Sequence, residues 1–184
     1  MEILGRIAGG IDRFNRSVGE CVAWLALFMV LVQFAVVLTR YIFGYGSIFM
    51  QESIIYMHGL LFLLGAGYTL LQNGHVRVDI FYRAATPRRK AMVDLFGVLF
   101  LLGPVCIAMA LFSWPYVMNA WRILESSKET SGIPAVFLLK SAILAFLLLL
   151  LLQGVSMALH ALRRLAGCPD AAGPGGEDGL REGA

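Results

Sequence analysis

Charged residues are scarce in this sequence: Asp, Glu, Lys and Arg make up 15% of its 184 residues. An average soluble domain carries about a quarter. Hydrophobic residues reach 59%, and both values argue against a water-soluble globule. There are also only three cysteines, none in a C-x-x-C pair, so neither a zinc site nor a disulfide framework is indicated. The basic residues form short clusters and no continuous basic face, which argues against a nucleic-acid binder.

Long apolar stretches are what the sequence does have. A helix needs about 20 mostly apolar residues to cross a bilayer, and four stretches qualify: residues 21–39, 53–73, 95–121 and 141–162. The first is too long for the apolar part of a signal peptide and is followed by no cleavage site. The third exceeds the thickness of the hydrocarbon core, so we expect it to tilt, to kink at Pro104 or Pro115, or to protrude. The sequence therefore predicts an all-α membrane protein with four transmembrane helices.

The flanks of these spans predict the orientation of the chain. Eleven Lys and Arg residues lie in the N-terminal segment, the second loop and the tail, against four in the first and third loops. Because cytoplasmic loops carry the excess of Lys and Arg, both termini should be cytoplasmic.

The two ends of the chain differ from its membrane domain, residues 19–165. Residues 1–18 repeat apolar side chains at helical spacing, with Arg6, Asp12, Arg13 and Arg16 on the other side. This pattern predicts an amphipathic helix lying flat on the lipid of the cytoplasmic leaflet. Residues 166–184 are rich in Gly and should form a disordered cytoplasmic tail.

The second span carries a stripe of polar and small side chains, with Tyr56 and Thr69 at its edges. Its members recur every seven residues: Gln51, His58, Gly65 and Gln72, with Glu52, Gly59, Ala66 and Asn73 beside them. Unsatisfied polar groups are costly in hydrocarbon, and small residues let another helix approach closely. The stripe should therefore face protein, either the other spans of this chain or a partner subunit.

Two residues of the stripe, Glu52 and His58, fit structural roles better than ion binding. Glu52 lies at the outer boundary, where a solvated carboxylate or a pair with Arg40 fits better than an ion ligand, since secondary transporters bind ions near the bilayer midplane. His58 fits an interhelical hydrogen bond. No predicted span contains an acidic residue, which argues against a self-sufficient ion-coupled carrier.

Several short motifs together resemble a known family. Gln51-Glu52-Ser53 opens a span that contains Tyr56 and Gly65-Ala66-Gly67-Tyr68, and Asn73-Gly74-His75-Val76-Arg77-Val78-Asp79 follows it. With Gly132-Ile133-Pro134, this series resembles the small membrane subunit (DctQ-type) of tripartite ATP-independent periplasmic (TRAP) transporters, over roughly residues 10 to 165. The chain departs from many relatives at Gln51, where they carry a second acidic residue, and this puts an acidic-pair role in doubt.

The resemblance implies a small permease subunit in the bacterial inner membrane. Such a subunit has no enzymatic activity and no cofactor. Its implied partners are a large multi-span subunit, which it scaffolds, and a periplasmic solute-binding protein, for ion-gradient-driven uptake of an organic anion such as a carboxylate. The solute and the coupling ion are not specified by this chain. The residues implicated in the partner interface or the family motif are Glu52, Tyr56, His58, Gly65, Ala66, His75 and Asp79.

Three other functions fit a four-span chain less well. A haem-binding anchor needs two histidines at one depth, which His58, His75 and His160 do not provide. An independent small exporter needs a membrane-embedded carboxylate. A four-span assembly factor without transport would not co-purify with a large multi-span subunit.

Overall fold

The structure, a computed structural model, describes residues 2–75 and 85–167. These residues form four long helices: α1 (Glu2–Ile42), α2 (Ile48–Leu71), α3 (Pro87–Arg122) and α4 (Val136–Leu165). Each is long and apolar enough to cross a membrane. Helices α1, α3 and α4 each contain one predicted span, and α2 covers the predicted span 53–73 except its last two residues. The predicted all-α class with four membrane helices is confirmed, while the cytoplasmic position of both termini stays a prediction.

The limits of α2 follow from its local sequence. The side chain of Ser47 precedes the helix and accepts a hydrogen bond from the Met50 N–H at 3.4 Å. After Leu71 the chain turns at Asn73, which has a positive φ of 54°, a conformation that Asn adopts more easily than most residues. The Gly74 N–H then donates to the Thr69 carbonyl at 2.8 Å. This Asn-Gly pair therefore ends the second span.

Helix α3 changes its geometry partway along. It consists of an α-helical segment (Pro87–Phe96), a π-helical segment (Gly97–Leu102) and a second α-helical segment (Gly103–Arg122). The π-helical segment ends at Leu102, two residues before Pro104, which has no N–H to donate and crowds the preceding turn. The wider turns accommodate this proline, and the helix continues through Pro115.

Helix α4 is the centre of the bundle. It contacts α1, α2 and α3, and α1 and α2 also pack on each other. Helix α3 packs mainly on α4, so it leaves large apolar side chains such as Phe100, Leu111 and Phe112 exposed. These side chains are suited to lipid, because exposed apolar surface of this extent is unfavourable in water.

Helix α1 runs without a break through the segment predicted to be a separate interfacial helix. The apolar side chains of Ile3, Ile7 and Phe14 on that segment are exposed, whereas Ala8 and Asp12 are buried. The flat position of residues 1–18 on the leaflet stays a prediction. Asp79, and the predicted tail from residue 168 onward, lie outside the described residues.

Candidate functional site

Glu52, in the second turn of α2, connects that helix to the loop between α3 and α4. Its carboxylate accepts a hydrogen bond from the Ser127 hydroxyl on one oxygen and from the Ile133 N–H, at 2.6 Å, on the other. The Ser127 hydroxyl oxygen in turn accepts from the Glu129 N–H at 3.1 Å. Neither interpretation considered from the sequence, a solvated carboxylate or a pair with Arg40, describes this arrangement. We call Glu52 with loop residues 127–133 the outer anchor.

Two further motif residues belong to the outer anchor. The Tyr56 hydroxyl, one turn below Glu52, donates to the Ile133 carbonyl at 3.4 Å. Gly132 lies so close to Ser127 and Glu52 that a Cβ atom at this position would overlap both side chains. Glu52, Tyr56 and the Gly132-Ile133-Pro134 motif are therefore brought together by the fold, although about 75 residues separate them in the chain.

The same loop is also fixed to α3 and α4. The Lys140 ammonium lies 2.5 Å from a carboxylate oxygen of Glu125 and 4.0 Å from the ring centre of Tyr116. The Trp121 indole N–H donates to the Ser141 hydroxyl at 2.7 Å. Lys140 therefore pairs with groups at the outer end of the bundle and joins the loop to α3.

The predicted polar stripe of α2 is divided between two faces. On one face, Glu52 and Tyr56 join the outer anchor and Gly59 contacts Leu139 of α4. His58 and Gly65 lie on the other face. The His58 ring is exposed and packs on Phe62, with 4.8 Å between ring centres. A Cβ atom added to Gly65 would meet nothing within 4 Å.

We call the outward stripe of α2 the open face. It comprises Ile55, His58, Phe62 and Gly65. The sequence left two alternatives for the stripe, contact with the other spans of this chain or with a partner subunit. Glu52 and Tyr56 make contacts within the chain. His58 and Gly65 face away from the rest of the described chain. Ala66 is half-buried, and His75 is exposed just beyond the inner end of α2.

A second exposed polar side chain lies at a depth similar to that of His58. Gln33 lies nine residues before the end of α1 at Ile42, and His58 lies ten residues after the start of α2 at Ile48. Since consecutive helices α1 and α2 run antiparallel, the two side chains are at similar levels. Within residues 2–75 and 85–167, neither side chain forms a hydrogen bond.

A buried polar cluster joins α1 to α4 nearer the other end of the bundle. The Asn15 amide donates to the Gln153 side-chain oxygen at 2.7 Å, and the Gln153 amide donates to Asp12 at 3.0 Å. Asp12 also accepts from the Ser156 hydroxyl at 2.5 Å and lies 3.0 Å from His160 Nε2. We call these five residues the inner polar cluster. They hold α1 in register against α4.

The inner polar cluster corrects one inference from the sequence. Asp12 is 9% exposed and does not lie on the charged outer side predicted for the N-terminal helix. It packs beside Gln153 and Ser156, which lie within the predicted fourth span, so an acidic side chain contacts a span although no predicted span contains one. One signal could have revealed the cluster: Ala8, Asp12, Asn15 and Gly19 recur at the spacing of a single helix face.

The described residues contain no group of three or more His, Cys, Asp or Glu side chains that could hold a metal ion. The contacts at the outer anchor and the inner polar cluster are hydrogen bonds and ion pairs between helices and a loop. They position α1, α2 and the outer loop around α4.

Four apolar helices, three of them packed on the central α4, with the outer anchor toward one end and the inner polar cluster toward the other, define a multi-pass membrane protein. Residues 29–164 match the family described as "Tripartite ATP-independent periplasmic transporters, DctQ component", and the chain belongs to this family. The resemblance inferred from the sequence motifs is thereby confirmed. The family is one of transporter components and not a class of enzyme, and with the four apolar helices it indicates a protein of the inner membrane.

One curated relative is "C4-dicarboxylate TRAP transporter small permease protein DctQ" of Vibrio cholerae serotype O1. It is 27% identical over 128 residues, which are 67% of this chain and 53% of the relative. The chain thus spans about half the length of that relative. No solved structure matches the chain.

Proposed function

We propose that this chain is the small permease subunit of a TRAP-type secondary transporter, and that it scaffolds the large membrane subunit through the open face of α2. The transporter would take up an organic anion such as a carboxylate, driven by an ion gradient and supplied by a periplasmic solute-binding protein. The observation that carries the interface is the open face itself. It presents the His58 imidazole ring and, at Gly65, a position where an added Cβ atom would meet nothing within 4 Å.

The chemistry of the open face favours a protein partner over lipid. His58 carries a polar ring on a helix that is apolar enough to span the membrane, and it forms no hydrogen bond with the described residues. Polar groups in hydrocarbon favour hydrogen bonds to a neighbouring helix, and small residues such as Gly65 let that helix approach. Gln33, an exposed polar side chain at a similar depth on α1, also favours contact with protein over contact with lipid. A transmembrane helix of the large subunit with a hydrogen-bonding group at this level would satisfy the His58 ring.

The remaining motif residues have supporting roles in this proposal. Glu52 and Tyr56 fix the outer loop through Ser127 and Ile133. Their role would be to hold this loop in the conformation that the partners meet, and not to contact the partners themselves. Ala66 borders the open face, and His75 with Asp79 would fix the exit of the second span, with a partner contact in addition.

The substrate class rests on the family and on the relative's name. The relative is named for C4-dicarboxylates, and at 27% identity over about half of its length it supports a carboxylate only as a class. Asp12 could suggest a carrier that works alone, but both of its carboxylate oxygens are occupied by Gln153, Ser156 and His160. A scaffold explains this fully paired carboxylate better than an ion path does.

Co-purification tests the proposal with a matched pair of variants. Gly65→Leu places a bulky side chain on the open face of α2. Gly97→Leu makes the same change on α3, where an added Cβ atom would also meet nothing within 4 Å. With the large subunit co-expressed, we expect Gly65→Leu to lower its yield severalfold and Gly97→Leu to leave it unchanged.

Thermal unfolding of each purified variant in detergent separates loss of the interface from loss of the fold. Equal yields of the large subunit with both variants would contradict the open face as the interface. If the unmodified chain never retained a large multi-span subunit, the scaffold function itself would be wrong, and an assembly factor would fit better.

A further inference from the structure

The contacts between α3 and α4 place the start of α3 beside the end of α4. Trp121, near the end of α3, bonds to Ser141 near the start of α4. Midway, Leu102 lies so close to Gly154 that a Cβ atom on this glycine would overlap it. The two helices are therefore antiparallel and in contact along most of their length. The first turn of α3 must then lie close to the last turn of α4.

The contacts between α1 and α4 bring the first turns of α1 to the same end. Along the pair, Asn15 meets Gln153 and Asp12 meets Ser156. About two turns further out, Gly5 lies against the Arg163 guanidinium, where a Cβ atom would be 2.5 Å from it. The starts of α1 and α3 therefore flank the end of α4.

Basic residues from all three helices converge at this end of the bundle. We call the group the cationic end: it consists of Arg6, Arg88, Arg89, Arg163 and Arg164.

Acidic groups do not balance this charge in the described part of the chain. The first turn of α3 contains no acidic residue, and Asp12 is committed to the inner polar cluster. Glu2 on α1 and Asp94 on α3 are the acidic residues nearest this end. Arg163 and Arg164 interact within the chain, whereas Arg88 and Arg89 are exposed. Arg88 and Arg89 are therefore the cations best able to bind a ligand.

We propose that the cationic end binds the headgroup of an anionic phospholipid, with its phosphate between the first turn of α3 and the last turn of α4. The cationic end lies where the start of α1 meets the end of α4. Both chain termini are predicted to be cytoplasmic, so this end is expected to lie at the cytoplasmic leaflet, which carries anionic lipid. Guanidinium groups bind phosphate through paired hydrogen bonds. The exposed apolar side chains of α3, such as Phe96 and Phe100, lie further along the same helix and would contact the acyl chains.

Two double variants of the full chain test this site. Arg88→Gln with Arg89→Gln removes two charges at the cationic end, and Arg122→Gln with Lys128→Gln removes two exposed charges at the opposite end. Each purified chain is placed in detergent micelles that contain phosphatidylglycerol or, separately, phosphatidylcholine with the same acyl chains. Native mass spectrometry then counts the lipids retained on each chain.

Each basic residue near an anionic membrane surface contributes roughly a fivefold preference. We therefore expect the Arg88/Arg89 variant to lose about tenfold or more of its phosphatidylglycerol retention, and the Arg122/Lys128 variant to lose none. Arg88→Lys with Arg89→Lys keeps both charges and should retain most of the binding, which separates loss of charge from misfolding. Phosphatidylcholine should be retained weakly by every chain.

Three results would overturn the proposal. The first is equal loss of phosphatidylglycerol in both Gln variants, which would indicate only general charge attraction. The second is equal retention of the two lipids by the unmodified chain. The third is displacement of the lipid by millimolar inorganic phosphate at matched ionic strength, which would identify a site for free anions.

Discussion

Glu52→Gln should loosen the loop between α3 and α4 without unfolding the helices. The carboxylate accepts one hydrogen bond from Ser127 and one from the Ile133 N–H, and hydrogen bonds to a charged group contribute about 1.5–3 kcal/mol each. The glutamine amide keeps one accepting oxygen and turns an N–H₂ group toward one of the two donors. We therefore expect a loss of about 2 kcal/mol in the free energy of loop opening, which corresponds to about a 30-fold change in the opening equilibrium.

Hydrogen exchange measures this opening at one backbone group. The Ile133 N–H should exchange about 30 times faster in Glu52→Gln, because exchange requires the bond to Glu52 to break. Glu129→Gln makes the same change of charge within the loop, on an exposed side chain, and should leave the exchange rate unaltered. An exchange rate within twofold of the unmodified chain in Glu52→Gln would refute the role assigned to this carboxylate.

Three more predictions address the fold and its orientation. Asp12→Ala leaves the buried donors of the inner polar cluster without their acceptor and should lower the free energy of unfolding by about 3 kcal/mol, measured by SDS titration; an unchanged value would contradict the cluster's role. Gly67→Leu should destabilise the chain by about 1–3 kcal/mol, because a Cβ atom there would lie 2.9 Å from the Asn15 side-chain oxygen, whereas Gly65→Leu should not in the same titration. Cysteines in the 43–48 loop should react with an impermeant reagent added outside cells, and labelling in the 84–90 segment instead would invert the predicted topology.

The four helices could be predicted from the sequence because the requirement behind them is simple. A chain with so few charges must bury its apolar runs, and runs of about 20 residues match the bilayer. Local chemistry also sets helix limits: Pro87 occupies the first position of α3, and Asn73 and Gly74 end α2. These features depend on neighbours along the chain, so periodicity and composition are sufficient to find them.

The polar contacts could not be predicted because they depend on residues distant in the chain. Asp12 lies among Arg6, Arg13 and Arg16 in the sequence, which suggested a charged surface, and only the antiparallel packing of α4 shows that it is buried against Ser156 and Gln153. For Glu52, the sequence indicated its boundary position and its motif. Its partners lie in a loop whose path cannot be deduced from composition. The seven-residue spacing in α2 predicted one continuous polar stripe, whereas the packing of α2 on α1 and α4 divides its residues between an inner face and the open face.

Site-specific photo-crosslinking can show whether the large subunit lies against the open face of α2. A photoreactive amino acid at position 58 faces the proposed partner, and one at position 112 replaces a phenylalanine exposed on α3. With the large subunit present in native membranes, we expect a covalent product with the large subunit from position 58 and mainly lipid adducts from position 112. Lipid adducts alone from position 58, together with a large-subunit product from position 112, would show that the large subunit docks elsewhere and that the open face is not its interface.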